Sequence, residues 1–145
     1  MPASAFYSLQ ELLPDNHRLG EYHRMKTGET LTAVTREEFR QWLADHHKTE
    51  VEIWLVFYYK RTGKPTILYN DAVEEAICYG WIDSQQNQMD EERFVRRFSP
   101  RRKRSQWSRY NRARALRMLR TGKMTQAGLK TLPAEMLAVW EEEGP

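Results

Sequence analysis

Gly80-Trp81-Ile82-Asp83-Ser84-Gln85, followed after Met89-Asp90-Glu91-Glu92 by Arg93-Phe94-Val95-Arg96-Arg97-Phe98, is the stretch on which the fold turns. Two runs rich in aromatic and β-branched residues flank a short polar connection, the pattern of a β-hairpin. With the turn near Asp90 and Glu91, side-chain alternation puts Trp81, Asp83 and Gln85 on one sheet face with Phe94, Arg96 and Phe98. Upstream, Val51-Glu52-Ile53-Trp54-Leu55-Val56-Phe57-Tyr58-Tyr59 has the composition of a central strand and ends in the turn signal Lys60-Arg61-Thr62-Gly63-Lys64-Pro65. Strands near Val51 to Tyr59, Trp81 to Asn87 and Arg93 to Phe98 make a small antiparallel sheet. The expected class is α+β, a single domain with helices packed on that sheet.

The helices are marked by their ends. Thr35-Arg36-Glu37-Glu38 is a capping box, and Phe39, Trp42 and Leu43 follow at helical spacing, so a helix is expected to about His47. Asn70 or Asp71 is placed to cap a second helix with Val73, Ala76 and Ile77 facing inward and Gly80 as its left-handed stop. Ser99 and Pro100 close the last strand. Ser105 or Ser108 then caps a third helix carrying Trp107, Tyr110, Ala113, Leu116 and Leu119 as far as Gly122. Thr125 caps a short helix through Leu129, and Glu135 to Glu142 forms a last one. Residues 1–30 contain Pro14, Gly20 and Gly28 and show no sustained periodicity, so they read as an N-terminal arm with one short helix around Leu9 to Leu13. The domain proper is expected over 31–145.

A chain of 145 residues is the size of one domain, and five Trp, seven Tyr and five Phe supply a core that a disordered chain would lack. The single cysteine, Cys78, cannot form an internal disulfide, and the start Met-Pro-Ala-Ser-Ala-Phe-Tyr-Ser has neither the basic nor the apolar region of a signal peptide. A cytoplasmic location is the expectation. No run approaches the roughly 18 apolar residues that a membrane span needs, so integral membrane association is not expected.

Charge is unevenly distributed. From Arg93 to Ala134 there are fourteen Lys and Arg and no carboxylate, which leaves nine of the 23 basic residues against all 20 acidic ones elsewhere. Such a segment either binds anions or closes against the acidic remainder of its own fold. Within it, Arg101, Arg102, Lys103, Arg104 and Ser105 end where a helix is expected to begin, so guanidinium groups, a hydroxyl and free helix amides would converge on a phosphate or carboxylate. Arg96, Arg109 and Arg112 extend that candidate anion-binding set. Trp107 and Tyr110, interleaved with arginines, are candidates for stacking on bases. The opposing reading makes this a solvated helix face with its aromatics in the core. On either reading Arg101 to Arg104 lie in a polar run and contribute nothing to burial.

Asp83 is the one candidate catalytic residue, since a carboxylate buried beside Trp81 can have its pKa raised enough for acid or base chemistry. The alternative is a structural ion pair with Arg96, Arg97 or another neighbouring arginine. His46 and His47 are adjacent and lack a second ligand at helical spacing, and His17 and His23 form no ligand pattern, so no metal site is expected. Cys78, in the apolar run Ala76-Ile77-Cys78-Tyr79, reads as packing. No phosphate loop, nucleophile elbow or cysteine pair is present, and no cofactor is expected.

Several of these residues together carry a family resemblance: Trp42-Leu43 before His47, Trp54-Leu55, Gly80-Trp81-Ile82-Asp83, Pro100-Arg101 followed by Ser105, Trp107 and Ser108, Asn111, and Gly122-Lys123-Met124-Thr125-Gln126-Ala127-Gly128. Over about Leu31 to Leu132 the chain resembles the bacteriocin-protection, YdeI or OmpD-associated family of small bacterial proteins. The resemblance implies a role in tolerance of bacteriocins or other stress and brings no catalytic residues. For some members it implies an envelope location, at odds with the start of this chain. The expected function is a non-enzymatic binding domain whose basic surface takes nucleic acid or another polyanion. The alternatives are a small enzyme built on Asp83 and an interaction module that docks an acidic protein partner.

Overall fold

The computed structural model describes residues 27–143. The arm, its short helix around Leu9 to Leu13, and His17 and His23 therefore lie outside the described residues, apart from the last four positions of the arm. A four-stranded sheet has the order β1-β2-β4-β3, with β1 Thr30–Leu31, β2 Ile53–Tyr58, β3 Trp81–Gln88 and β4 Arg93–Pro100. Five helices accompany it: α1 Arg36–His46, α2 Tyr69–Cys78, α3 Arg109–Arg120, α4 Gln126–Leu129 and α5 Ala134–Glu143. The fold is α+β. The three expected strands pair antiparallel, and β1 adds a short parallel strand on the outer side of β2 that takes in Thr30, the last residue of the expected arm.

Strand β2 is buried from Ile53 to Phe57, because both of its faces are covered. Ile53, Leu55 and Phe57 belong to the main core with Phe39, Leu43, Ile77, Trp81 and Phe98. Trp54 and Val56 point the other way and form a second, smaller cluster with Met89 and Val95. The hairpin β3–β4 starts in the expected register, with Asp83 opposite Phe98, but a bulge follows and Gln86 is opposite Arg96. The extra residue shifts alternation by one, so it is Gln86 and not Gln85 that comes to lie beside Arg96. Asp90 organises the turn: its Oδ1 accepts from the amides of Glu92 (2.9 Å) and Arg93 (2.8 Å), and its Oδ2 from the Arg93 guanidinium (2.7 Å).

Two of the helix caps are as the sequence implies. Thr35 accepts from the Glu38 amide at 3.2 Å, and Thr125 from the Gly128 amide at 3.3 Å. Two expectations change. The cap of α2 is Leu68, with no side-chain hydrogen bond, because Asn70 and Asp71 are engaged elsewhere: Arg114 donates to Asn70 and Arg36 to Asp71. Helix α3 is capped by Ser108, one of the two serines expected there, but Trp107, expected within the helix, precedes it, and the buried face is Ala115, Met118 and Leu119. Tyr110, which the opposing reading placed in the core, is 62% exposed.

Helix α2 is the hub, packing on α1, α3, α4 and β3. It is buried from Ala72 to Cys78, including two carboxylates, Glu74 and Glu75. Arg36 donates to Glu74 (2.9 Å) and Glu75 (2.6 Å), Arg40 to Glu75 (2.8 Å), and Arg117 of α3 lies 3.3 Å from Glu74. A carboxylate is tolerated in such a place only when cations and hydrogen bonds surround it. The end of α2 is clasped from downstream. The Cys78 carbonyl accepts from the Thr125 hydroxyl (2.5 Å) and amide (3.1 Å), and a Cβ on Gly128 would stand 2.4 Å from that same carbonyl oxygen. The run Gly122–Gly128 therefore acts as a structural clasp that only a bare backbone can close. Burial pushes the Cys78 thiol up to about 11 against a hydrogen bond from Arg40, which makes it a poor nucleophile. No helix among the described residues is long and apolar enough to cross a membrane.

Candidate anion-binding site

Where β4 ends, the chain does not leave the protein. The Arg101 amide donates to the Gly80 carbonyl at 2.8 Å, continuing the ladder past Pro100 and turning the Arg101 side chain inward. Arg101 is only 9% exposed. Its guanidinium carbon lies 3.7 Å from the centre of the Trp107 ring, and Nη1 donates to the Ser105 hydroxyl (2.8 Å) and the Gln106 carbonyl (3.2 Å). Nη2 is buried with no hydrogen-bond partner among the described residues. Arg101 makes no ion pair among the described residues, and burial lowers its pKa to about 10 although the Asp83 charge acts the other way, so at neutral pH it is a full positive charge with no carboxylate in contact among the described residues. An unmet charged donor inside a protein is destabilising by more than the roughly 1–3 kcal/mol of a neutral one.

Arg101 lines a cavity of about 310 Å³. The loop Arg102–Ser105 forms one part of its lining and the segment Lys130–Pro133 another. The loop is a turn closed by the Ser105 amide on the Arg102 carbonyl at 3.2 Å, with Arg104 in the left-handed region at φ 63°. For a residue with a Cβ that conformation costs about 1–2 kcal/mol, and it persists because neighbouring contacts hold it. Arg102, Lys103, Arg104 and Lys130 are exposed and form no ion pair among the described residues.

The structure thus gathers five of the expected anion-binding residues, Arg101, Arg102, Lys103, Arg104 and Ser105, into one cavity wall and disperses the other three. Arg96 is paired with Asp83, Arg112 with Glu135 at 3.1 Å, and Arg109 lies along Tyr110, donating to its hydroxyl at 3.1 Å. The loop also stands apart from the helix amides that were expected to assist it, since Ser108 accepts from the Asn111 amide at 3.1 Å and caps α3 itself. Arg101 departs furthest from expectation: it is buried, so it cannot be replaced without a structural effect. Lys130 is a site residue that the sequence reading missed, because it reaches the cavity from a different helix end.

Of the fourteen cations in the acid-free stretch, six form ion pairs with acidic residues among the described ones: Arg93, Arg96, Arg97, Arg112, Arg117 and Arg120. The segment closes against the acidic remainder over much of its length, and the cavity gathers five of the remaining cations, Arg101, Arg102, Lys103, Arg104 and Lys130. The stacking candidates also divide. Trp107 is partly buried with a guanidinium of its own chain over the ring, while Tyr110 stays exposed.

Asp83 Oδ2 accepts from Arg96 Nη2 (2.6 Å), Arg96 Nε (3.0 Å) and the Tyr69 hydroxyl (3.0 Å), and the side chain is 9% exposed. Three donors saturate that oxygen, so the group is held as an ion pair with Arg96. Arg96 reaches on to Gln86 Oε1 at 2.7 Å, and Arg97, on the other sheet face, pairs with Glu52 at 2.6 Å. His46 and His47 bond back to the Trp42 and Leu43 carbonyls of their own helix at 2.9 and 2.8 Å.

Residues 31–131 match the model of a family described as a domain of unknown function (DUF8412), and the chain belongs to that family. No curated protein and no solved structure matches it.

Proposed function

We propose that this domain is a non-enzymatic binding module for nucleic acid, which it holds through phosphates on the basic surface in and around the cavity beside Arg101. One observation carries the reading: a buried arginine lines a cavity together with four exposed cations, and none of the five forms an ion pair among the described residues. Phosphate contacts need clustered guanidinium and ammonium groups and carry no sequence information, so binding is expected to be tolerant of sequence. Exposed Tyr110, with Arg109 alongside, offers a surface for base stacking. An acidic protein partner is the weaker reading, because protein interfaces centre on apolar anchors and this cavity is rimmed by charge. The resemblance to bacteriocin-protection proteins supports stress tolerance as the physiological role, exercised in the cytoplasm where nucleic acid is at hand.

The test is fluorescence anisotropy with a labelled single-stranded DNA, an RNA and a duplex across a salt series. Contact with about four phosphates gives a log–log slope of roughly −3 to −4. No binding of any of the three at about 50 mM salt, with poly-glutamate bound instead, would replace this reading by the acidic-partner one.

A further inference from the structure

The cavity carries more information than a basic surface does. It is concave, and at about 310 Å³ it sits at the small end of ligand pockets, room for a phosphate and part of a nucleoside but not for a helix of nucleic acid. A phosphate in the middle of a strand has a sugar on each side and meets a protein along a groove. A phosphate at a strand end has one free side and can enter a pocket. Charge points the same way. A phosphodiester brings one negative charge, whereas a monoester carries about −1.5 to −2 near neutral pH and three acceptor oxygens.

The receiving groups match that difference. Arg101 is the one buried cation of the lining, and its planar donor fork suits phosphate oxygens. It is oriented in advance by Trp107 on its face and by Ser105 and Gln106 on Nη1. Lys130 comes from the second segment of the lining, so an anion in the cavity meets cations from two separate parts of the chain. Leu132 and Pro133 in that segment give an apolar surface for a sugar or base behind the phosphate.

We propose that the Arg101 cavity is a site for a terminal phosphate monoester, carried by the end of a nucleic-acid strand or by a free nucleotide. This rests on the same reading of the cavity as an anion site, and adds an end-group preference to it. The experiment compares one oligonucleotide in three forms, with a 5′-phosphate, with a 3′-phosphate and with hydroxyl ends, and includes AMP and inorganic phosphate as competitors. One phosphorylated form is expected to bind about tenfold or more tightly than the hydroxyl form, the increment of a charge-assisted contact. AMP should abolish that increment. In Arg101→Gln the ratio should fall to about one, with thermal melting to show that the variant is folded. If that variant does not fold, Lys130→Gln, at an exposed position, should still shrink the ratio. Equal binding of all three forms overturns the end-group inference and leaves nucleic-acid binding standing. AMP bound but no strand bound overturns the nucleic-acid reading and keeps the monoester site. Neither bound overturns both.

Discussion

The guanidinium of Arg101 and the indole of Trp107 are packed against each other at 3.7 Å, with Arg101 almost closed off from water. A desolvated cation on an indole face is worth about 2 kcal/mol, and loss of a largely packed Trp costs about 3 kcal/mol. Trp107→Ala is therefore expected to lower stability by about 2–4 kcal/mol. A double-mutant cycle of Arg101→Met and Trp107→Leu in urea should return a coupling of about 1 kcal/mol or more. Strict additivity would mean that the stack contributes nothing.

The exposed cations behave differently. Arg102, Lys103 and Lys130 changed together to Gln should leave stability within about 1 kcal/mol, as surface substitutions without partners do. The salt slope for oligonucleotide binding should fall by about 2–3, close to one phosphate contact for each cation removed. An unaltered slope would take all three out of the interface.

Asp83→Asn leaves Arg96 without its carboxylate in a place where the pair is mostly buried, which typically costs about 3–5 kcal/mol. Because Arg96 keeps Gln86 as a partner and is 21% exposed, the expected loss is at the lower end of that range. Asp83→Leu combined with Arg96→Met should recover much of it, as apolar replacements of buried pairs do. A variant that melts like the parent would show that the pair does not hold the sheet.

Asp90 sets a pH dependence. Although burial opposes it, hydrogen bonds from Arg93 and from the Glu92 and Arg93 amides hold its carboxyl below the usual range. A carboxyl lowered in the folded state contributes stability that is present above its unfolded pKa of about 3.9 and is lost as pH falls through the lowered value. With the side chain 35% exposed, solvent screening keeps that contribution near 1 kcal/mol. The difference in stability between parent and Asp90→Asn should therefore be present at pH 6 and shrink as the pH drops below about 4. A difference that is constant down to pH 2 would mean that the carboxylate charge plays no part.

What could be read from the sequence was local chemistry. Thr35 with Glu38, the Thr125 cap, the left-handed stop at Gly80 and the helix end at Gly122 each depend on residues a few positions apart, and each appears in the structure. The hairpin was legible as far as Asp83, beyond which the bulge has no glycine or proline to announce it. The cap of α2 was misread because Asn70 and Asp71 are taken by arginines 44 and 35 residues away, and nothing nearby reveals such competition. Burial of Glu74 and Glu75 has the same cause, since the arginines that neutralise them come from α1 and α3. In the candidate site, the basic run was visible as composition. The inward turn of Arg101 was not, because it follows from a single backbone bond to Gly80.

The clasp of Thr125 on Cys78 joins positions 47 residues apart. On a ribosome adding roughly 5–20 residues per second, α2 exists for roughly 2–9 s before its clasp is made. Throughout that interval the helix that touches most of the domain has an open end, and its Glu74 carboxylate waits for Arg117 as well. The nascent chain thus completes its central helix late, and a stop in translation anywhere between Cys78 and Thr125 yields a fragment whose most apolar helix is unsealed.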